Sequence, residues 1–183
     1  LAKVKEIAHA NGALLIFDEV VSGFRYALGG ASEYYRVTPD LAAFGKGMGN
    51  GLPISAVAGR AEIMELIGTE GVFISTTFGG ESLSLAGALA TIELLEQPGV
   101  YQEFWRLGMR MIEGLKRLIA RHSIENVVNV SGLAPHAGVS FNDFGSLSYL
   151  QIHSVYSQCM IDNGILTFAI NNLNMSHTEN EID

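Results

Sequence analysis

Two residues of this sequence, Asp18 and Lys46, stand where chemistry could be done. Asp18 closes an unbroken apolar run over residues 13–17 and precedes Glu19. Lys46 lies after a second short run over residues 40–44, in Gly45-Lys-Gly-Met-Gly-Asn-Gly51, where four glycines flanking one lysine make a loop. A lysine whose pKa is lowered by burial or neighbouring cations supplies a free amine that forms a Schiff base with an aldehyde and then moves protons. A carboxylate can keep a ring nitrogen protonated so that the ring absorbs electrons from a carbanion. The plain alternative is that a strand-end Asp-Glu and a loop lysine are ordinary surface features.

For the two side chains to converge, both runs must be strands with their carboxyl ends at one cleft, which is where open α/β sheets bind ligands. The surrounding pattern supplies such units. Leu1, Val4, Ile7 and Ala8 recur at helical spacing and stop at Asn11-Gly12, a pair suited to a left-handed helix end. Residues 13–17 read as a buried, parallel-type strand. A glycine-spotted stretch follows over residues 23–30, then the strand at 40–44, a further strand at 55–59 and a helix over 61–67. Leu83, Ala86, Leu89, Ala90 and Leu94 predict a helix over residues 83–96, which Gln97-Pro98-Gly99 breaks. The domain boundary falls there, separating residues 1–98 from residues 99–183. Beyond it come a long amphipathic helix over 101–121, strands at 127–130 and 138–141, a helix over 147–163 and a strand at 165–168. Strands and helices alternate, so the expected fold is α/β or α+β. Thr178-Glu-Asn-Glu181 is a capping box announcing one more helix. The chain opens without a methionine, in a helix already under way, and stops as that last helix begins, so it reads as a fragment.

Composition narrows the partners. The 183 residues are 48% hydrophobic, enough to bury a sizeable core. Net charge is −8 and the 11 basic residues are dispersed, which argues against nucleic acid or an anionic membrane surface. No apolar run is long enough to span a membrane. Cys159 is the only cysteine, so no internal disulfide forms and a reducing, cytoplasmic compartment fits best. His9, His122, His136, His153 and His177 show no metal-ligand spacing. Small-molecule chemistry is what remains.

Several linked segments carry a resemblance. Leu14-Leu-Ile-Phe-Asp-Glu-Val-Val-Ser-Gly-Phe-Arg25, then Thr38-Pro-Asp-Leu41, then Phe44-Gly-Lys-Gly47 with Gly51-Leu-Pro-Ile54, resemble in order and spacing the signature region of class III aminotransferases. That family uses pyridoxal 5′-phosphate (PLP). The resemblance implies Lys46 as the Schiff-base lysine, Asp18 as the partner of the pyridine nitrogen and Val20 as a residue packing under the ring. It implies the C-terminal part of a fold-type-I large domain over residues 1–98 and an incomplete small domain over 99–183. Ser75-Thr-Thr-Phe-Gly-Gly80 resembles the loop whose threonine, here Thr77, binds the cofactor phosphate of a neighbouring subunit, which implies a homodimer. A hydroxyl and free amides at a glycine turn before a helix suit a phosphate. Where the family has asparagine and proline, this chain has Glu81-Ser82.

Within the family, residues 18–25, 27–35 and Ser176-His-Thr178 look most similar to the glutamate-1-semialdehyde 2,1-aminomutases, whereas residues 75–82 look like a general aminotransferase. The implied activity is amino-group transfer between an amine or amino acid and a carbonyl compound, with intramolecular transfer and a non-catalytic fragment as alternatives. Arg25 could meet a substrate carboxylate or be structural, and Glu19 could be a hydrogen-bonded support or form a salt bridge. Residues 14–19 also fit the strand ending in the metal-binding Asp-Glu of a P-loop ATPase, but that reading needs a Gly-x-x-x-x-Gly-Lys-Ser/Thr loop, and the sequence has none.

Overall fold

The first helix ends where its turn residues demand. In the computed structural model, which describes residues 1–69 and 71–183, α1 (Ala2–Ala10) closes with Asn11 and Gly12 donating to the Ala8 and His9 carbonyls, and Gly12 takes φ +69°. The chain divides into two units, Leu1–Tyr101 and Gln102–Asp183.

In the first unit β1 (Ile16–Glu19) pairs in parallel with β2 (Leu41–Phe44), and β2 pairs antiparallel with β3 (Ala56–Gly59). The link over residues 45–55 is too short for the crossover that a parallel third strand would need. Between β1 and β2 lies α2 (Gly30–Tyr35); after β3 come α3 (Ala61–Met64) and α4 (Ser82–Leu95).

Asp40 pins the amino ends of this sheet. It is 1% exposed, and its Oδ2 sits 2.8 Å from His9 Nε2 and accepts the Leu15 amide at 2.7 Å, while Oδ1 accepts from Arg60 Nη1 at 3.0 Å. His9, the Leu15 amide and Arg60 together hold the carboxyl well below the usual range.

The same contact corrects the strand expected over residues 13–17. The ladder runs over Ile16–Glu19, because the Leu15 amide is taken by the Asp40 side chain and its carbonyl by the Asp40 amide. The strand is also less buried than an unbroken apolar run suggests: Ile16 is 60% exposed.

The long helix α5 (Val100–His122) begins in the first unit and continues through the second. There β4 (Val128–Leu133), β5 (His136–Phe141) and β6 (Ile170–Asn172) form an antiparallel sheet in that order. Ile112, Ala134 and Ala137 are its buried nucleus, with Trp105, Met111 and Val130 packed against them. Gly108 lets α5 approach this nucleus, since a Cβ there would collide with the Ala134 backbone.

The remaining helices are α6 (Tyr149–Asp162) and α7 (Glu179–Ile182), and both begin in capping boxes, Ser148 with Gln151 and Thr178 with Glu181. The strand expected at 165–168 is displaced to Ile170–Asn172. Thr167 turns inward and its Oγ1 accepts the Ala169 amide, while Ala169 adopts φ +62°, so the chain bends before it can pair. Among the described residues no helix is long and apolar enough to cross a membrane.

Candidate active site

The parallel register brings Asp18 and Lys46 to the same end of the sheet. Asp18 lies opposite Ala43, and Glu19, the last residue of β1, lies opposite Phe44, the last of β2. Lys46 follows two positions later, opening a single turn of 3₁₀ helix over Lys46–Met48. The turn is anchored from below: Gly45, Met48 and Gly49 are buried and Lys46 is exposed. Met48 donates to the Gly45 carbonyl at 3.0 Å, and Gly49 and Asn50 both donate to the Lys46 carbonyl at 3.1 Å.

Lys46 takes φ +41°, a left-handed conformation that costs a residue with a Cβ about 1–2 kcal/mol. The flanking glycines explain how the loop tolerates its neighbours. A Cβ on Gly49 would lie 2.6 Å from the Leu52 carbonyl oxygen, so nothing larger fits there. At Gly45 a Cβ would reach Val20 Cγ1 at 3.7 Å, which places the Val20 side chain beside the turn that carries Lys46.

Strand alternation sends Asp18 and Glu19 to opposite faces. Asp18 is exposed, and its Oδ1 accepts the Val20 amide at 3.0 Å. Among the described residues its other oxygen has no partner, and neither does the Lys46 ammonium. Glu19 is 1% exposed and fully engaged, with Ser22, Ala31 and Ser32 as donors. Burial raises its pKa, and the bonds from Ser22, Ala31 and Ser32 outweigh that and leave it lowered. Of the two readings left open for Glu19, hydrogen-bonded support is the observed one.

Arg25 is half-buried in the turn after β1; burial lowers its pKa, and the nearby Tyr26 and Tyr101 hydroxyls act in the other direction. Tyr101 donates to the Phe24 carbonyl at 3.4 Å, and burial, with Glu33 nearby, pushes its pKa up to about 12.

Thr77 does not join this group through any hydrogen bond among the described residues. It lies in the exposed segment 71–80 that precedes α4. The departure at Glu81 has a structural role: its side chain accepts the Leu83 and Ser84 amides at 2.9 and 2.7 Å and caps α4. The first free amides of that helix are therefore occupied by the protein's own carboxylate, and an anion at this loop would be left with the Thr77 hydroxyl and the backbone of the glycine turn.

Of the partners of Asp40, Arg60 carries no signal in the sequence and His9 is there only a histidine without metal-ligand spacing. Asp40 and Arg60 are 20 positions apart, so no local spacing marks them. Among the described residues no three of His, Cys, Asp and Glu gather as metal ligands.

The fold of this chain has counterparts among solved structures. A solved transaminase with PLP bound superposes on the whole of this chain with a TM-score of 0.90 at 24% identity. An omega-transaminase from Sphaerobacter thermophilus does so over 99% of the chain, with a TM-score of 0.84 at 25% identity. The ornithine delta-aminotransferase of Plasmodium falciparum matches over 99%, with a TM-score of 0.79 at 21% identity. This chain spans 44%, 44% and 47% of their respective lengths. A model of the aminotransferase class-III family matches residues 1–152. The chain belongs to the class III aminotransferase family.

Proposed function

We propose that this chain carries the cofactor-holding part of a PLP-dependent aminotransferase. The observation that supports this reading best is the pairing of a Lys46 ammonium without a partner among the described residues, on a left-handed turn, with an Asp18 carboxylate that has one oxygen free among those residues, at the carboxyl ends of two parallel strands. The residues present fit the cofactor: an amine, an acceptor for a ring N–H, and an apolar side chain, Val20, beside Gly45.

When bound, PLP supplies an aldehyde that captures amines and a ring that takes up the electrons left when a proton departs from the substrate carbon. The protein does the rest. Lys46 Nζ would hold the cofactor and, when free, would carry the proton on and off the substrate carbon. Asp18, through the oxygen not used by the Val20 amide, keeps the ring nitrogen protonated. Val20 would offer the ring an apolar surface. Thr77 offers its hydroxyl to a phosphate across an interface with a second copy, and Phe73 and Phe78, 89% and 71% exposed on the same segment, give that interface apolar area to bury.

The substrates are an amino donor and a carbonyl acceptor. Intramolecular transfer is the alternative favoured by residues 18–25 and 27–35, and turnover without a second carbonyl compound would distinguish it.

The test is to add PLP, reduce with borohydride, digest and locate the phosphopyridoxyl mass. Lys3, Lys5, Lys46 and Lys116 are the four candidates. An adduct confined to the Lys46 peptide, absent in Lys46→Ala, is expected. Equal labelling of all four lysines would overturn the assignment.

A further inference from the structure

Glu19 is an ionised group in a buried position, which is unfavourable unless donors surround it. Four do. Ser22 Oγ and the Ala31 amide donate to Oε2 at 2.5 and 3.0 Å, and the Ser32 amide and hydroxyl both donate to Oε1 at 2.7 Å. Every donor comes from residues 22–32, the segment that leaves β1 and returns as α2.

The backbone is shaped around this carboxylate. Gly30 has φ +66°, and a Cβ there would lie 2.7 Å from Glu19 Oε2 and 2.9 Å from Gly23 Cα. At Gly23 a Cβ would lie 2.5 Å from the Glu19 carbonyl oxygen, which accepts the Gly23 amide at 2.8 Å. The chain from Asp18 to Gly23 is thus held from three directions: the Asp18 carboxylate takes the Val20 amide, the Glu19 carbonyl takes the Gly23 amide, and the Glu19 carboxylate ties down the start of α2. The Gly23 carbonyl in turn comes within 4.0 Å of a Cβ built on Gly47, beside Lys46.

We infer that Glu19 is a positioning residue: by clasping the start of α2 from the end of β1, its carboxylate fixes the turn that orients Asp18 and sets Val20 against the Lys46 loop. It touches neither cofactor nor substrate. This rests on the reading of Asp18, Val20 and Lys46 as the cofactor's holders. A merely structural carboxylate would stabilise the unit without altering how Lys46 behaves toward the cofactor.

The experiment uses the 183-residue chain, unsubstituted and as Glu19→Gln and Ser32→Ala, with two measurements. Residue-resolved hydrogen exchange reads the clasp, and the pH profile of PLP attachment at Lys46, by borohydride trapping, reads the positioning. A glutamine can still accept from Ser32, but its NH₂ faces the Ala31 N–H, so the Ala31 amide should exchange about tenfold faster or more while the β2–β3 ladder stays protected. The pH midpoint of attachment should move in Glu19→Gln and move less in Ser32→Ala, which keeps the Ser32 amide and serves if Glu19→Gln fails to fold.

Unchanged protection at Ala31 would overturn the clasp. An unmoved pH profile in a variant whose Ala31 amide is loosened would overturn the positioning role alone. Absence of attachment at Lys46 in the unsubstituted chain would overturn the cofactor reading, and the role built on it.

Discussion

Lys46 shows how a single residue carries both the expected chemistry and its energetic cost. Its left-handed φ of +41° is strained for any side chain but is free of penalty for glycine. Lys46→Gly should therefore raise the unfolding free energy by about 0.5–1 kcal/mol in a denaturant titration while abolishing trapping of PLP at that position, so stability and attachment move in opposite directions. Asp18→Ala should leave PLP attached at Lys46 but slow proton removal from the substrate carbon at least about 100-fold, read by stopped-flow absorbance, because the ring loses the carboxylate that keeps it protonated.

Two further carboxylates make a prediction about pH. Glu19 and Asp40 are both lowered in the fold, so each contributes stability that is present above its unfolded value and lost as pH falls through the folded one. The first unit should lose stability below about pH 4, and Asp40→Asn should flatten that dependence in acid titrations followed by circular dichroism.

At the scale of elements, closeness of backbone decides which glycines can be replaced. Gly114 and Gly108 lie on the same helix α5, yet a Cβ at Gly114 meets nothing nearer than the Arg117 guanidinium at 3.8 Å, whereas one at Gly108 collides with the Ala134 backbone. Gly114→Ala should stabilise the protein by about 0.5–1 kcal/mol through helix propensity. Gly108→Ala should destabilise it by about 1–3 kcal/mol through overpacking, and thermal melts of the two variants would show opposite shifts. Gly30→Ala belongs with the second kind, since it strains the backbone and presses on the Glu19 carboxylate together.

α5 and α6 were legible in advance because their apolar spacing and end signals lie within the elements themselves. Ser148 and Gln151 close their capping box three positions apart, and Ser148→Ala should cost about 1 kcal/mol. The strand after α6 was misplaced because the buried Thr167 and the left-handed Ala169 redirect the chain, and neither is signalled by a periodic pattern.

For the whole molecule, the exposed apolar surface is the quantity to test. Phe73 and Phe78 lie in solvent near Thr77, so a second copy covering them should bury area without altering the fold of either. Phe73→Ser should leave the unfolding free energy within about 0.5 kcal/mol and weaken self-association, measured by sedimentation velocity across a concentration series. An unchanged sedimentation profile would remove the interface from this segment.

Fold class and most helices were readable from the sequence by itself, because apolar periodicity and glycine turns are local properties of the chain; Asp18 and Lys46 stood out by their place after apolar runs, whereas Val20 and Thr77 were named through the family resemblance alone. Only the tertiary structure decided which neighbour each strand takes, that Glu19 and not Asp18 faces inward to clasp α2, and that Asp40 joins His9, Leu15 and Arg60. Hydrogen bonds of this kind span 12 to 31 positions, and their partners are set by how the strands pair rather than by anything within reach along the sequence.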